Sequence, residues 1–314
     1  MEQVFSFLLL PGFSMLGFSA AVDPMRSANR LTGRPLYAWR LLSRDGRPVM
    51  ASNGIEVMVH GGMADVERAP TLIVVAALQP HLYAEKATLA WLRRLDRRGC
   101  RIGAISTGTY ILARAGLLDG YRCTIHWENL AALREAFPRL EITPEVYEID
   151  RGRLTCSGGT AALDLMLALI AIDHGRELAT AVAEQFIHER IRDSRDHQRM
   201  ALRSRLGTSH PKLLAVVDTM ERNLEEPLPR AALAARVSLS PRQLERLFRK
   251  HLNRTPTRYY LDLRLERARS LLMQTDMSVL DIALACGFVS ASHFSKCYRE
   301  CFNCTPRQDR APVN

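Results

Sequence analysis

The sequence lacks the features of an exported or membrane-bound protein. No stretch approaches the roughly 18 uninterrupted apolar residues that a membrane-spanning helix needs. The apolar start, Val4 to Leu10, follows Glu2 instead of a basic segment and stops at Pro11. It therefore predicts a buried strand and not a signal peptide. We expect a cytoplasmic protein that has no membrane partner.

Cysteine is scarce and follows no framework. The seven cysteines are an odd number without disulfide-like spacing, which indicates reduced thiols. Cys297, Cys301 and Cys304 follow His293 at near-helical spacing, so a zinc or redox site is one interpretation. Their spacing matches no structural zinc pattern. Packing for Cys297 and surface positions for the other two are simpler, and no metal or cofactor is predicted. The remaining candidates for small buried residues in or beside strands are Cys100, Cys123 and Cys156.

Size and charge divide the chain. A length of 314 residues exceeds what one hydrophobic core usually supports, so two domains are expected. Residues 228–314 carry 15 Lys/Arg against 7 Asp/Glu, whereas residues 1–227 carry 28 against 26. A basic domain attached to a nearly neutral one suggests contact with a polyanion. A merely soluble basic surface is the alternative on charge alone.

An internal repeat defines the structural unit of the basic half. The nine residues from Phe248 to Pro256 recur as Tyr298 to Pro306, and upstream matches continue with one residue gained in the turn. Each copy contains two short helices joined tightly. In the first copy Ser240-Pro241 is an N-cap followed by proline at the first helical position. The pattern predicts two helix-turn-helix units.

The second helix of such a unit lies in the major groove and presents its outward residues to base edges. Arginine pairs with guanine, glutamine with adenine, and glutamate accepts from cytosine. Serine and arginine at the helix ends suit phosphates. The predicted base-reading residues are Arg242, Gln243, Glu245, Arg246, Ala291, Ser292, His293 and Lys296, and the predicted phosphate contacts are Ser240, Ser290, Arg249 and Arg299.

One long helix is predicted between the copies, from Pro256 to Gln274. Successive major grooves on one DNA face lie roughly 34 Å apart, and a rigid helix could hold two readers at that spacing. From about Pro211 to Pro306 the chain resembles the AraC/XylS family of bacterial regulators, in particular through the run from Asp281 to Phe288 followed by Ser292 to Lys296. A helical pair that only mediates assembly is the alternative.

The first part of the chain alternates short apolar segments with amphipathic ones. This alternation predicts an α/β domain with a parallel sheet covered on both sides, a three-layer sandwich. The predicted strands are 4–10, 37–43, 55–60, 71–77, 101–106 and 123–127. The predicted helices are near 18–30, 84–98, 108–115, 128–137, 160–173 and 177–190. Ligands in such sheets bind beyond the carboxyl ends of the strands.

From Val4 to Arg190 the chain resembles PfpI-like domains of the class I glutamine-amidotransferase-like superfamily. The resemblance lies in Pro11 to Phe13, Gly103 to Gly108, His126-Trp127 and Ser157 to Asp164. Enzymes of that superfamily place a cysteine on the sharp turn between strand and helix. Here that position is Ser106, a much poorer nucleophile unless a base activates it. The resemblance thus implies a retired enzyme pocket, and an active hydrolase or lyase using Ser106 is the rival.

A retired pocket joined to a DNA reader implies a sensor, as in the GlxA-type branch of AraC/XylS regulators. The run from Thr124 to Leu130 looks like members that sense quaternary amines such as glycine betaine or carnitine. Aromatic faces hold a trimethylammonium group, and the strand-to-helix turn suits a carboxylate. Arginine or another amino acid is a rival ligand. The predicted pocket residues, of which the aromatic ones could equally be core, are Phe13, Phe18, Ser106, Thr107, Tyr110, His126 and Trp127.

The predicted organisation is a ligand-sensing domain at 1–193, a linker at 194–210 and an all-α DNA-binding domain at 211–314. The charged run from Asp193 to Arg199 is either a solvated helix end or a relay or dimer contact. The combined resemblance implies an activator of a catabolic operon that is not an enzyme. Its implied partners are double-stranded DNA, a small-molecule effector, a second copy of the chain and RNA polymerase.

Overall fold

The computed structural model describes residues 2–275 and 277–310, which form two compact units. The first unit runs from Met1 to Gln198 and the second from Arg199 to Asn314. The division lies inside the predicted linker 194–210. Part of that linker, Leu202–Leu206, is helical and belongs to the second unit.

The first unit is an α/β domain. Its strands are β1 (Gln3–Leu9), β2 (Tyr37–Ser43), β3 (Val49–Met50), β4 (Glu56–Val57), β5 (Gly61–Gly62), β6 (Thr71–Ala76), β7 (Arg101–Ser106), β8 (Arg122–Cys123), β9 (Glu141–Ile142), β10 (Tyr147–Asp150) and β11 (Arg153–Cys156). Its helices are α1 (Met15–Thr32), α2 (Lys86–Arg97), α3 (Gly108–Arg114), α4 (Leu130–Ala136), α5 (Ala161–His174) and α6 (Arg176–Gln185).

The main sheet has the strand order β10-β11-β7-β6-β1-β2-β5. Its pairs are parallel except for β10 with β11, which form an antiparallel hairpin at one edge. The central strands are continuous apolar runs, as expected when helices cover both faces. The predicted parallel sheet and three-layer arrangement are confirmed.

Alternation along β1 assigns its side chains to two cores. Phe5, Phe7 and Leu9 pack in one cluster together with residues of α1, α5 and α6. Leu8 and Leu10 pack in a second cluster with residues of α2 and α3. Successive strand residues point to opposite faces, so one strand supplies both layers of contacts. The sheet is thereby fixed between its helices, and the loops at its carboxyl edge have a rigid base.

Three predicted elements of the first unit are wrong in part. The strand expected over 55–60 is reduced to β4, which pairs only with β3. The strand expected over 123–127 stops at Cys123, because Thr124 turns inward and donates its hydroxyl to the carbonyls of Thr143 and Glu145. The helix expected to reach Arg190 ends at Gln185. The hairpin of β10 and β11 was not predicted.

The second unit is helical in the residues that the structure describes. Its helices are α7 (Leu202–Leu206), α8 (Pro211–Arg222), α9 (Arg230–Arg236), α10 (Pro241–Leu252), α11 (Pro256–Gln274), α12 (Val279–Ala285), α13 (Ala291–Phe302) and α14 (Pro306–Arg310). The predicted bounds of α11 are confirmed. Thr255 caps this helix by accepting from the Arg258 amide at 3.2 Å, and Pro256 takes the first helical position.

Helix α11 joins both helix-turn-helix units. The hydroxyl of Tyr260 accepts from the Leu228 amide and donates to the Asn223 carbonyl, both of which precede α9. The Arg264 guanidinium donates at 2.7 Å to the carbonyls of Cys286 and Gly287, where α12 ends. Helix α11 therefore fixes the loop before the first helix-turn-helix unit and the turn of the second helix-turn-helix unit.

No helix among residues 2–275 and 277–310 is long and apolar enough to cross a membrane.

Candidate functional site

The loops that leave the carboxyl ends of β1, β7 and β11 converge in the first unit. A Cβ built on Gly17, in the first turn of α1, would lie 3.1 Å from Ile105 Cγ2 and 3.5 Å from the Gly159 amide nitrogen. The start of α1 is therefore packed against both the end of β7 and the loop after β11. Open parallel sheets bind ligands at this edge.

Ser106 lies on a sharp turn between β7 and α3. Its φ of 59° is left-handed, a conformation that side-chain-bearing residues rarely adopt. Gly158 makes the turn possible, because a Cβ there would lie 2.6 Å from Ser106 Cβ. Gly108 allows the following helix to approach β6, since its Cβ would lie 2.3 Å from the Val74 carbonyl oxygen. The chain thus retains the strained turn that the sequence predicts at Ser106.

A second loop, residues 124–127, lies beside this turn. The Thr109 hydroxyl of α3 donates to the Thr124 carbonyl at 2.8 Å. The Thr124 amide donates to Thr155 Oγ1 at 2.9 Å. These bonds attach the loop 124–127 to both α3 and β11. Its last two residues, His126 and Trp127, place their rings 5.5 Å apart.

The electrostatics of the loop 124–127 favour a neutral imidazole at His126. Burial lowers the pKa of His126, and the nearby Glu128 carboxylate, 3.7 Å from Nδ1, opposes this change only partly. Within residues 2–275 and 277–310 no hydrogen bond joins the Ser106 hydroxyl to His126. A serine nucleophile needs a base in contact with it, and His126 does not make that contact in this structure.

The predicted aromatic pocket residues differ in exposure. Trp127 is 37% exposed, whereas Phe13 is fully buried and Phe18 is 8% exposed. Phe13 and Phe18 contact each other edge to face at 5.9 Å within the core, and Tyr110 contacts Phe137 in the same manner at 5.8 Å. Packing explains both phenylalanines, while Trp127 presents a ring to solvent.

Thr107 and Gln198 complete this region. Thr107 is buried and donates its hydroxyl to the Ala77 carbonyl at 2.9 Å, which holds the turn to the end of β6. Gln198 donates its amide to Thr124 Oγ1 and to the Ile125 carbonyl, each at 3.0 Å. Sequence reasoning missed Gln198, because it stands in a charged run that resembles a solvated helix end.

The first helix-turn-helix unit consists of α9, a turn with Ser238 in the left-handed region, and α10. Ser240 and Gln243 form a reciprocal capping box at the start of α10. The Gln243 side-chain oxygen accepts from the Ser240 amide at 2.8 Å, which leaves its amide nitrogen free for an adenine. A bidentate contact of Gln243 with adenine would use both side-chain atoms and would therefore require this cap to open. The S-x-x-Q spacing could have shown the cap in advance.

The second helix-turn-helix unit repeats this arrangement with α12 and α13. Gly287 takes a φ of 72° in the turn, and Ser290 caps α13 by accepting from the His293 amide at 3.2 Å. Ser292, His293 and Lys296 are exposed on the outward face, and Ala291 is half-buried. The inward face is formed by Phe294, Cys297 and Tyr298.

Unpaired cations dominate the outward faces of the two recognition helices. Arg242 and Arg246 on α10, and Lys296 and Arg299 on α13, are exposed. None of these four makes an ion pair within the part of the chain that the structure describes. Glu245 is different, because Arg230 and Arg249 neutralise it at 3.1 and 3.2 Å. Arg249 is exposed as well but shares its charge with that carboxylate.

The carboxyl-terminal cysteines lie on α13 and just beyond it. His293 Nε2 approaches the sulfur of Cys297 at 3.4 Å, and Cys297 is buried. Cys301 and Cys304 are half-buried. Over the described ranges, no group of three or more His, Cys, Asp or Glu side chains is arranged to hold a metal ion.

The chain combines an α/β domain that has a strained turn at Ser106 with two helix-turn-helix units whose outward faces are basic. This combination is that of a regulator of gene expression. The DJ-1/PfpI family model matches residues 6–172, and a helix-turn-helix domain model matches residues 233–311. The chain therefore belongs to the AraC-type, DNA-binding transcriptional regulators that carry an amino-terminal DJ-1/PfpI domain.

Curated relatives span nearly the whole chain. The HTH-type transcriptional regulator CdhR of Pseudomonas aeruginosa is 52% identical over 99% of this chain and 92% of its own length. The regulator GlxA of Rhizobium meliloti is 41% identical over 97% of this chain and 94% of its own length. A crystal structure of an AraC family regulator from Pseudomonas putida covers 59% of this chain and 99% of its own, at 33% identity and a TM-score of 0.54.

Proposed function

We propose that this regulator reads DNA through α10 and α13 under the control of a small effector. The effector binds at residues 124–127, which we name the effector loop, and at the Ser106 turn. The observation that carries the proposal is the set of exposed, unpaired cations on both recognition helices. Cations held outward without a protein partner release counterions when they meet phosphates, and arginine can also pair with guanine.

A zwitterion with a quaternary amine, such as glycine betaine or carnitine, is the proposed effector. Trp127 offers an exposed ring to the trimethylammonium group. The neutral state favoured for His126 avoids repulsion of that cation. Backbone amides at the start of α3, next to Ser106, suit the carboxylate. Arginine or another amino acid is the competing ligand, because it carries the same carboxylate.

We further propose that the protein is not an enzyme and that it acts as a dimeric activator that contacts RNA polymerase. The strained turn at Ser106 favours the rival hydrolase or lyase, whereas serine in place of the family cysteine is a much poorer nucleophile and favours a sensor. Effector binding would bias one arrangement of the dimer over another, as any ligand-driven switch requires. Turnover that Ser106→Ala abolishes would establish the rival.

The DNA-reading faces are tested by Arg246→Ala and Lys296→Ala in the full chain, measured by titration of a promoter fragment. Each should weaken binding by about 1–3 kcal/mol, roughly 5- to 150-fold, where a base contact is lost. Arg222→Ala on α8 is the matched control, because Arg222 is exposed and pairs with Asp218 at 3.0 Å. Unchanged affinity in both variants would contradict the assignment of the recognition helices.

The pocket is tested by thermal shift with glycine betaine, carnitine and arginine. A ligand that binds only the folded state raises the melting temperature. Trp127→Ala should remove the shift of a quaternary amine, whereas Trp127→Phe, which keeps an aromatic face, should retain part of it. A shift that survives Trp127→Ala would move the pocket elsewhere, and a shift with arginine alone would replace the proposed ligand.

A further inference from the structure

A twelve-residue segment, Ile187 to Gln198, connects α6 to the start of the second unit, and we name it the strap. It contains no helix or strand apart from one isolated bridge between His197 and Glu145. It starts with Ile187, which is 89% exposed and has a φ of 51°. Because the strap has no ladder of its own, polar contacts must hold its position.

The first anchor of the strap is Asp164 of α5. Its carboxylate is fully buried and accepts from His188 Nε2 at 2.9 Å and from the Arg192 amide at 2.8 Å. The Arg192 guanidinium donates to the same carboxylate at 2.9 Å and to Thr160 Oγ1 at 2.6 Å. A buried carboxylate is tolerated only when its lone pairs are satisfied, so the strap completes the environment of Asp164.

The middle of the strap borders a cleft. This cleft, of about 210 Å³, lies beside Ile191, Arg192 and Asp193, with Tyr147 and Ala168 among its other walls. The Val146 amide donates to the Ser194 carbonyl at 3.0 Å and attaches this stretch to the start of β10. Ile191 in this stretch packs against the apolar core, so it adds an apolar contact to the polar ones.

The second anchor is Gln198, the last residue of the first unit. Its side-chain nitrogen lies 3.0 Å from Thr124 Oγ1, 3.0 Å from the Ile125 carbonyl and 2.8 Å from the Glu145 carbonyl. Ile125 immediately precedes His126. The amide of one side chain thus holds the backbone of the effector loop, and the next residue in the chain begins the DNA-reading unit.

We propose that Gln198 is a positioning residue, which holds the effector loop through the strap and links its occupancy to the DNA-reading unit. This inference rests on the proposed function, because it takes the effector loop as the binding site. A ligand that alters the conformation of Ile125 must strengthen or weaken the bonds of Gln198. By linkage, the state of the strap alters the affinity for the ligand by the same factor.

The first experiment needs no effector. Hydrogen exchange is measured on the full chain of the wild type and of Gln198→Glu, whose carboxylate faces carbonyl oxygens where the amide donated. Amide protection at 124–129 and 192–198 should fall at least tenfold, while β6 and β7 keep theirs. Gln198→Met, which removes the donor without adding charge, should reproduce the loss. Gln185→Glu is the matched control, because the Gln185 side chain already accepts from Arg30.

The second experiment measures coupling with the compound, among glycine betaine, carnitine and arginine, that raises the melting temperature. Its effect on promoter affinity should shrink at least fivefold in Gln198→Glu and persist in Gln185→Glu. Unchanged protection at 124–129 overturns the positioning role, and an undiminished response to the compound overturns the link to DNA. If no compound shifts the melting temperature, the proposed effector site fails, and hydrogen exchange still decides whether Gln198 positions the loop.

Discussion

Arg264 should determine the stability of the second helix-turn-helix unit, α12 and α13. The α/β unit should be unchanged. The Arg264 guanidinium donates two bonds of 2.7 Å to the carbonyls of Cys286 and Gly287 and lies 4.1 Å above the Phe288 ring. Hydrogen bonds to a charged group contribute about 1.5–3 kcal/mol each, and a cation over a ring about 0.5–2 kcal/mol. Because water can replace part of these contacts at a half-buried side chain, we expect Arg264→Met to cost about 2–3 kcal/mol.

The assay uses the placement of tryptophan. The three tryptophans, Trp39, Trp91 and Trp127, all lie in the first unit. In urea unfolding of the full chain, their fluorescence transition should stay in place while the helical circular dichroism signal of the second unit moves to lower urea. Footprinting should lose protection first at the half-site bound by α13.

Arg258→Met is the matched control for Arg264→Met. Arg258 lies on the same helix, is exposed, and pairs with Asp262 at 2.9 Å. Exposed pairs of this kind contribute only about 0.3–0.5 kcal/mol. Equal destabilisation by the two variants, or equal loss of protection at both half-sites, would refute the role assigned to Arg264.

Three further predictions concern the first unit. Gly158→Ala should destabilise it by about 1–3 kcal/mol, because the new Cβ would lie 2.6 Å from Ser106 Cβ at a φ of 87°; Gly54→Ala, with a φ of 82° and open space, isolates the cost of the backbone alone, and equal melting temperatures would contradict the clash. Because burial lowers the pKa of His126 from 6.5, this imidazole binds more protons in the unfolded chain than in the folded one as the pH falls below about 7. Its contribution to stability should therefore fall on acidification, and His126→Gln should make that fall shallower in urea titrations. Burial raises the pKa of three strand-associated thiols, Cys100 to about 11 and Cys123 and Cys156 to about 12. A thiol-reactive chromophore at about pH 8 should therefore modify at most the other four of the seven cysteines until the protein unfolds, and rapid labelling of more than four in the native state would disprove the burial of the three.

The sequence predicts the elements whose signals are local. Three elements have the bounds that we expected, because apolar runs or a cap with proline define their ends. They are Tyr37–Ser43, Arg101–Ser106 and Pro256–Gln274. Both helix-turn-helix units follow from the repeat and from the caps Ser240 and Ser290. The exposure of their recognition faces also agrees with helical periodicity.

Features that depend on distant partners escaped prediction. β10 and β11 are short and carry Glu148 and Arg153, which look exposed in sequence yet are buried. Arg153 is satisfied by Asp96 at 2.7 Å and by the Leu117 carbonyl, both far away along the chain. The strap has the same cause, because Asp164 and Thr124 give its polar residues their partners. Polar side chains reveal such roles only after the fold has brought those partners together.

Helix α11 joins two helix-turn-helix units that differ in their outward side chains. This difference gives the molecule a direction along DNA. The first reader carries arginine and glutamate outward, whereas the second carries serine, histidine and lysine. With α10 and α13 as the proposed recognition helices, a single chain would match a promoter element in one orientation only, and inverting that element in place would offer each helix the bases meant for the other. The outward side chains of α10 and α13 would then determine the direction of binding as well as its location.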